Sequence, residues 1–410
     1  MRVVPGYAGS RGDAMKSSIV EMTQAKPCEV ECIAKGNPYE MGLAQGESLR
    51  EKIRSATQVL DRLEAFRLAQ PSWLPYSIFR RVCEMRASRF LQEPLRRDFP
   101  DALQRMTGIA EGSGLSLRLI FLMHAIEPML ADVRRCAVMP GIGACSAVAL
   151  RGTRSATGEP IIARNFDYLP LVQPTCFVRD SRPASGFRSL DFTVAPFAGT
   201  FDGVNDKGLC ITYDYAYVRD FEKTATAPIS ITVAEALERC STVVEAEALF
   251  SSRPRWGGAI LMFADAGGDI ASMELSNTRV EVRRPRTGED VIFHSNTFFT
   301  DTMKNVEMPS EIRFSDKAPA SLRGRSIHQS ASVRDRRFQE LLKDSGPLDA
   351  NQLQMVMADH ENIDTPGGTS ICTHSDYWNT TASVQLFPRS RRMRIALASA
   401  CTAKYNEHTL

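Results

Sequence analysis

Two periodicities follow one another along the chain. After a short strand expected at Glu29 to Ala34, closed by Gly36-Asn37-Pro38, apolar positions recur at helical spacing. Leu49, Ile53, Ala56, Leu60 and Leu63 are separated by four, three, four and three residues, one stripe with charges between. Further helices are expected at Ile78 to Leu95, Asp101 to Glu111 and Leu117 to Ala131, the last two parted by Gly112-Ser113-Gly114. Beyond residue 143 the runs become short and rich in β-branched and aromatic residues. Strands are expected at Thr175 to Arg179, Leu190 to Ala195 and Leu209 to Tyr217, then a meander over Ala259 to Asp265, Ile270 to Leu275 and Arg279 to Arg283, and one more at Val291 to Asn296. Thr232-x-x-Glu235 and Thr242-x-x-Glu245 read as capping boxes opening two helices through Leu237 and Leu249. A Lys-, Arg-, Pro- and Ser-rich segment from Asp301 to Gln329 reads as a lid or an insertion. Helices at Val333 to Leu342 and Gln352 to His360, then strands at Thr369 to Thr373, Ala382 to Phe387 and Met393 to Ala398, complete the pattern. Strand groups separated by paired helices predict an α+β fold of two stacked sheets with helices on both outer faces, a four-layer αββα sandwich behind a mainly helical N-terminal part.

The stretch with the most chemistry is Gly143-Ala144-Cys145-Ser146-Ala147-Val148-Ala149-Leu150, a turn over Arg151 to Glu159, and Pro160-Ile161-Ile162-Ala163-Arg164-Asn165-Phe166-Asp167-Tyr168. It reads as a β-hairpin with Cys145 the first residue of its first strand. A cysteine there is ordinarily packing, but the returning strand brings back Arg164 and Asp167. A guanidinium favours a thiolate and a carboxylate holds an ammonium group. Arg164 and Asp167 are three apart, so in an unbroken strand they face opposite sides, and at least one is expected past the strand end. Met139-Pro140-Gly141-Ile142-Gly143 reads either as a linker or as a joint that tolerates strain before Cys145.

Composition narrows the field. The 410 residues, 43% hydrophobic and 24% charged, describe an ordinary globular chain, and a formal net charge of +2 gives no reason to expect nucleic acid or an anionic membrane. Ten cysteines are scattered without a disulfide pattern, which suits a reducing compartment. Cys28-x-x-x-Cys32 is the close pair, read as two side chains on one strand face rather than a metal site, and no cofactor or metal is expected. Met1 to Met22 has no apolar core of signal-peptide length, so the default location is cytoplasmic, with Met1, Met15 or Met22 as the start.

Ala-Cys-Ser, the hairpin and Ala-Arg-Asn-Phe-Asp-Tyr resemble the start of the mature chain in the acyl-coenzyme A:6-aminopenicillanic-acid acyltransferase (isopenicillin-N acyltransferase) family, relatives of the choloylglycine hydrolases and penicillin V acylases among the N-terminal-nucleophile (Ntn) hydrolases. Gly36 to Gly42 and Gly108 to Gly114 resemble that family's pro-region. The resemblance implies self-cleavage between Ala144 and Cys145, giving a pro-region of residues 1–144 and a catalytic part of residues 145–410 that stay associated, an arrangement compatible with a homo-oligomer. It implies Asn296, in Phe293-His294-Ser295-Asn296-Thr297, as an oxyanion donor, with a second contributor near Tyr215 behind the turn of Asn205, and Arg334 as a second active-site arginine. Arg334 also reads as a solvated member of Arg334-Asp335-Arg336-Arg337, and Asn205 as a turn residue. Asp359-His360 and Ser370-Ile371-Cys372 resemble further family phrases and read as structural. Phe166, Tyr168, Phe298 and Phe299 read as acyl-pocket walls or as core.

The activity implied is hydrolysis or transfer of an acyl group from a small non-peptide amide or thioester through a Cys145 thioester, with the freed α-amine as base. A papain-like pairing of Cys145 with His294 and a non-catalytic binding protein on the same scaffold are the alternatives.

Overall fold

The computed structural model describes residues 28–137, 141, 143–220, 226–361 and 369–410. The expectations placed on Met1 to Met22 and most of those on the Met139–Gly143 joint lie outside them.

Among the described residues, fourteen strands form two sheets. In chain order they are β1 Val30–Gly36, β2 Gly143–Leu150, β3 Ile161–Tyr168, β4 Cys176–Pro183, β5 Ser189–Val194, β6 Asp202–Asn205, β7 Cys210–Ala216, β8 Gly258–Ala264, β9 Ile270–Leu275, β10 Val280–Arg283, β11 Val291–His294, β12 Asn379–Phe387, β13 Arg392–Ala396 and β14 Asn406–Thr409. The first sheet runs β1-β4-β5-β6-β7-β8-β9-β10 and the second β11-β2-β3-β12-β13-β14. β2 and β3 pack against β7, β8 and β9, so the sheets stack face to face. Outside the first sheet lie the helices Pro38–Ser48, Ile229–Arg239 and Val243–Ser252, and outside the second lie Gln329–Lys343 and Ala350–Met357. These are the four αββα layers expected from the pattern.

Every residue of β2 and β3 is buried, because both faces of that hairpin are covered. Strand alternation sends Cys145, Ala147, Ala149 and Ile162 into the inter-sheet core, while Val148, Leu150, Ile161 and Ala163 join Phe338, Leu342, Leu353 and Met357 beneath the outer helices.

The N-terminal part is built into this frame. β1 pairs parallel with β4, Gln45 donates to the carbonyls of Ala195 and Phe197 at 2.9 Å, and Arg179 donates to Gln45 Oε1 at 2.7 Å. The two glycine-containing phrases, Gly36 to Gly42 and Gly108 to Gly114, lie where helices Pro38–Ser48 and Pro100–Ser113 cross. A Cβ at Gly42 would fall 2.0 Å from the Arg105 carbonyl oxygen and one at Gly108 2.2 Å from that of Tyr39, so only glycine permits backbones this close.

Several local expectations are corrected. The apolar stripe from Leu49 to Leu63 is buried as read, but its helix stops at Gln58 and yields to a 3-10 turn at Val59–Asp61. Thr232 lies inside helix Ile229–Arg239, whose start is set by Pro228, while Thr242 does cap the next helix by accepting from Glu245 N. Thr369 to Thr373 is not a strand, since Cys372 N donates to Asp359 O and Thr373 N to Thr380 Oγ1. Asp301–Lys304 is a short helix within the segment expected to be irregular. Cys28 precedes β1 rather than sharing a face of it with Cys32.

Candidate active site

Cys145 is the third residue of β2, not the first. Arg164 and Asp167 both lie within β3, so neither falls past its end. The register sets Cys145 opposite Phe166 and Ala144 opposite Asp167. Arg164, two residues from Phe166, therefore shares the inter-sheet face with the thiol, and Asp167 occupies the other face.

Arg164 Nη2 lies 2.9 Å from Cys145 Sγ. The same guanidinium donates from Nε to Asp214 Oδ1 at 2.7 Å and from Nη1 to Asp202 Oδ2 at 2.8 Å, with all three charged groups buried. Two carboxylates already answer its single positive charge. Burial consequently pushes the Cys145 thiol well up, against the smaller opposing pull of Arg164. Burial also raises Asp202 to about 6 despite Arg164. This is a thiol site rather than the thiolate site that an arginine neighbour alone suggests.

The backbone of Cys145 is held as firmly as its sulfur. Its N–H donates to Asn296 Oδ1 at 2.9 Å, and its carbonyl accepts from Arg334 Nη1. Arg334 also donates to Ser146 Oγ at 2.7 Å and to Asn296 Oδ1 at 2.8 Å. It is 1% exposed, which rules out the solvated reading of the Arg334 to Arg337 run. Asn296, two residues beyond β11, has its Nδ2 on the Tyr215 carbonyl at 2.7 Å, so Tyr215 enters through its backbone.

Asp167 accepts from Thr380 Oγ1 at 2.6 Å and Thr373 Oγ1 at 3.4 Å, with Arg334 Nη1 3.7 Å away. Burial raises it to about 7, against the lowering effect of Arg334 and Thr380.

Cys145, Arg164, Asp167, Asn296, Arg334 and Tyr215 are thus brought together around one residue, while Asn205 is not. Its side chain donates to the Leu237 and Cys240 carbonyls and accepts from Lys207 and Leu209, which closes a turn. His294 lies 3.1 Å from Asp214 Oδ2 and 3.1 Å from Ser272 Oγ, so its ring is engaged away from the sulfur. Sequence reasoning passed over Asp202 and Asp214. Their signal was a carboxylate in the middle of an apolar run, as in Ile211-Thr212-Tyr213-Asp214-Tyr215.

A cleft beside Gly143, Ala144, Asn296 and Arg334 is walled by Tyr217, Phe314, Leu322, Ile327 and Trp378. The segment after Asp301 supplies three of those five walls, Phe314, Leu322 and Ile327. Phe166, Tyr168, Phe298 and Phe299 line none of it. Phe166 instead stacks on Tyr168 and sits under the Arg164 guanidinium. Gly143 is required on steric grounds, since a Cβ there would fall 2.7 Å from the Tyr168 ring. Among the described residues no helix is long and apolar enough to cross a membrane.

A hairpin-borne thiol between two stacked sheets, flanked by helices, is the architecture of an Ntn hydrolase. The profile of the acyl-coenzyme A:6-aminopenicillanic acid acyl-transferase family matches residues 154–401, and the chain belongs to that family. The matched stretch carries Arg164, Asp167, Asn296 and Arg334 and begins after Cys145. A search among curated proteins gave no match. Similar solved structures include penicillin V acylase from Agrobacterium tumefaciens, at 16% identity over 65% of this chain and 86% of that one with a TM-score of 0.39. The Caenorhabditis elegans ortholog of N-acylethanolamine-hydrolyzing acid amidase aligns at 14% identity over 65% and 100% of the two chains, TM-score 0.42. A mutant conjugated bile acid hydrolase from Clostridium perfringens aligns at 13% identity over 64% and 92%, TM-score 0.37. The family match points to an enzyme of the acyl-transferase class.

Proposed function

We propose that Cys145 becomes an N-terminal nucleophile when the chain cuts itself after Ala144, and that the matured protein hydrolyses or transfers the acyl group of a small acyl amide or thioester. The observation that carries this reading is that three atoms of one residue have separate polar holders: Sγ on Arg164, N on Asn296 and O on Arg334. A buried backbone N–H and carbonyl need partners in any residue, but a cysteine that merely fills space needs no guanidinium on its sulfur.

In the first step Sγ attacks the Ala144 carbonyl, the Ala144–Cys145 C–N bond breaks, and the thiol proton passes to the departing nitrogen. The resulting thioester to Ala144 is hydrolysed by water, which leaves Cys145 with a free thiol and a free amine. That amine, with an ordinary pKa of about 7.7–8.0, is the base the buried thiol lacks in the uncut chain.

In turnover the amine takes the Sγ proton as sulfur attacks the substrate carbonyl. The oxyanion is held by the second N–H of Asn296 Nδ2, whose first is spent on the Tyr215 carbonyl. Such a donor contributes about 3 kcal/mol. Collapse expels the leaving group with the proton from the amine and leaves an acyl thioester on Cys145. Water or an amine in the cleft then attacks it, and the thiol is restored. In this reading Asp167, opposite Ala144 in the hairpin and 3.7 Å from Arg334, holds the new ammonium group. The scattered thiols fit a reducing compartment such as the cytoplasm.

The reading is tested by incubating the matured protein with a panel of acyl amides and acyl thioesters, then measuring denatured masses. The fragment of residues 145–410 is expected to gain one acyl group, and Cys145→Ala to gain none. Turnover with the adduct on another residue would overturn it.

A further inference from the structure

Outside the active site, His360, Cys372, His374 and Cys401 converge at one end of the second sheet. Their four ligand atoms all lie within 4.8 Å of one another. His374 Nε2 is 3.4 Å from Cys372 Sγ and 3.4 Å from Cys401 Sγ. The His360 and His374 rings meet edge to face at 5.2 Å, and His360 Nε2 is buried without a hydrogen-bond partner.

Zinc supplies a geometric standard. With Zn–S of about 2.3 Å and Zn–N of about 2.05 Å in a tetrahedron, the sulfur–nitrogen edge is about 3.6 Å and the sulfur–sulfur edge about 3.8 Å. Both observed sulfur–nitrogen distances, 3.4 Å, are within a few tenths of an ångström of that edge. The ligands come from three separate segments: the turn after helix Ala350–Met357, the irregular segment before β12, and the connection from β13 to β14. The Cys372 N to Asp359 O bond of 3.0 Å already joins two of these segments, and the four ligand atoms meet where the third approaches them.

We propose that His360, Cys372, His374 and Cys401 bind one zinc ion in a closed, structural Cys2His2 site. Binding displaces the two thiol protons, and the two thiolates and two neutral imidazoles fill all four positions, so no position stays open for an activated water. The ion clamps the segment that supports the active site: Thr373, between two ligands, contacts Asp167, and the Ile371 carbonyl accepts from Asn165 at 3.0 Å. Reading the sequence for close cysteine pairs missed this site because its ligands are contributed one or two at a time from segments far apart in the chain.

The test uses the full chain, expressed without a histidine tag and purified under reducing conditions, with metal content measured by plasma mass spectrometry before and after dialysis against zinc chloride. One zinc per chain is expected. Replacement by cobalt(II) should give the intense visible absorption of a tetrahedral thiolate site. Cys401→Ser, which alters the exposed ligand, should weaken zinc binding more than about 10-fold, and His360→Ala should do the same. Because the cobalt spectrum is read on the unaltered chain, a variant that fails to fold does not weaken the test. A reduced chain that takes up no zinc, or binds it equally well without Cys401 and His360, would overturn the proposal, as would a Cys372–Cys401 disulfide that forms in preference to metal uptake when zinc is present under reducing conditions.

Discussion

Arg164 and Cys145 meet at 2.9 Å between the two sheets, with Asp202, Asp214 and the Tyr213 carbonyl also accepting from the same guanidinium. The arginine therefore orients the sulfur while most of its charge is already answered. Arg164→Lys keeps the charge but loses the fork that reaches two carboxylates and a sulfur together. The lost bidentate geometry leaves buried carboxylate oxygens less well satisfied, and part of that loss should appear in the urea midpoint. Cleavage after Ala144, followed by electrophoresis over time, should slow at least about 100-fold, corresponding to about 2.7 kcal/mol on the barrier.

Asn296 presents Oδ1 to the Cys145 nitrogen and Nδ2 to the Tyr215 carbonyl, and in the proposed mechanism the second N–H of Nδ2 holds the oxyanion. Asn296→Ala should lower kcat by about 100- to 1000-fold, as for loss of one oxyanion donor, with KM little changed. The measurement is steady-state kinetics on the processed fraction, and an unchanged kcat would remove Asn296 from the mechanism.

Burial raises Asp202 from its ordinary value to about 6. Between about pH 4 and pH 6 the folded chain keeps a proton that the unfolded chain has released, so this group's contribution to stability falls as pH rises through that window and is flat above it. On a Cys145→Ala background, Asp202→Asn should flatten the stability curve there by an amount of order 1–3 kcal/mol. Denaturant midpoints at several pH values check it, and curves that run parallel would contradict the assignment.

Gly108→Ala tests the crossing that holds the N-terminal part on the sheet, since the new methyl would fall 2.2 Å from the Tyr39 carbonyl oxygen. Overpacking of this kind costs about 1–3 kcal/mol. The expected result is a lower melting temperature and easier separation of the two fragments once cut.

The layers were legible because both sheets are made of short β-branched runs with helical stripes between them, and the hairpin was legible because Gly152, Gly158 and Pro160 punctuate two apolar runs. What escaped was set by neighbours remote in sequence. Cys145 lies inside its strand because Gly143 and Ala144 find partners in Tyr168 and Asp167, and no local signal marks that pairing. Asp202 and Asp214 went unnoticed because only the stacking of β6 and β7 over β3 gives them Arg164. Thr369 to Thr373 has the composition of a strand, yet its backbone is taken up by Asp359 and Thr380, and its Cys372 side chain looks toward His360 and Cys401.

The central claim is that the working nucleophile is a cysteine made N-terminal by the chain itself. Intact-mass analysis of the purified protein, paired with an assay of the same sample, tests it most directly. The account predicts two associated fragments meeting between Ala144 and Cys145, activity that rises with the cut fraction, and a single inert chain for Cys145→Ala. An uncut chain of 410 residues with full activity would contradict it.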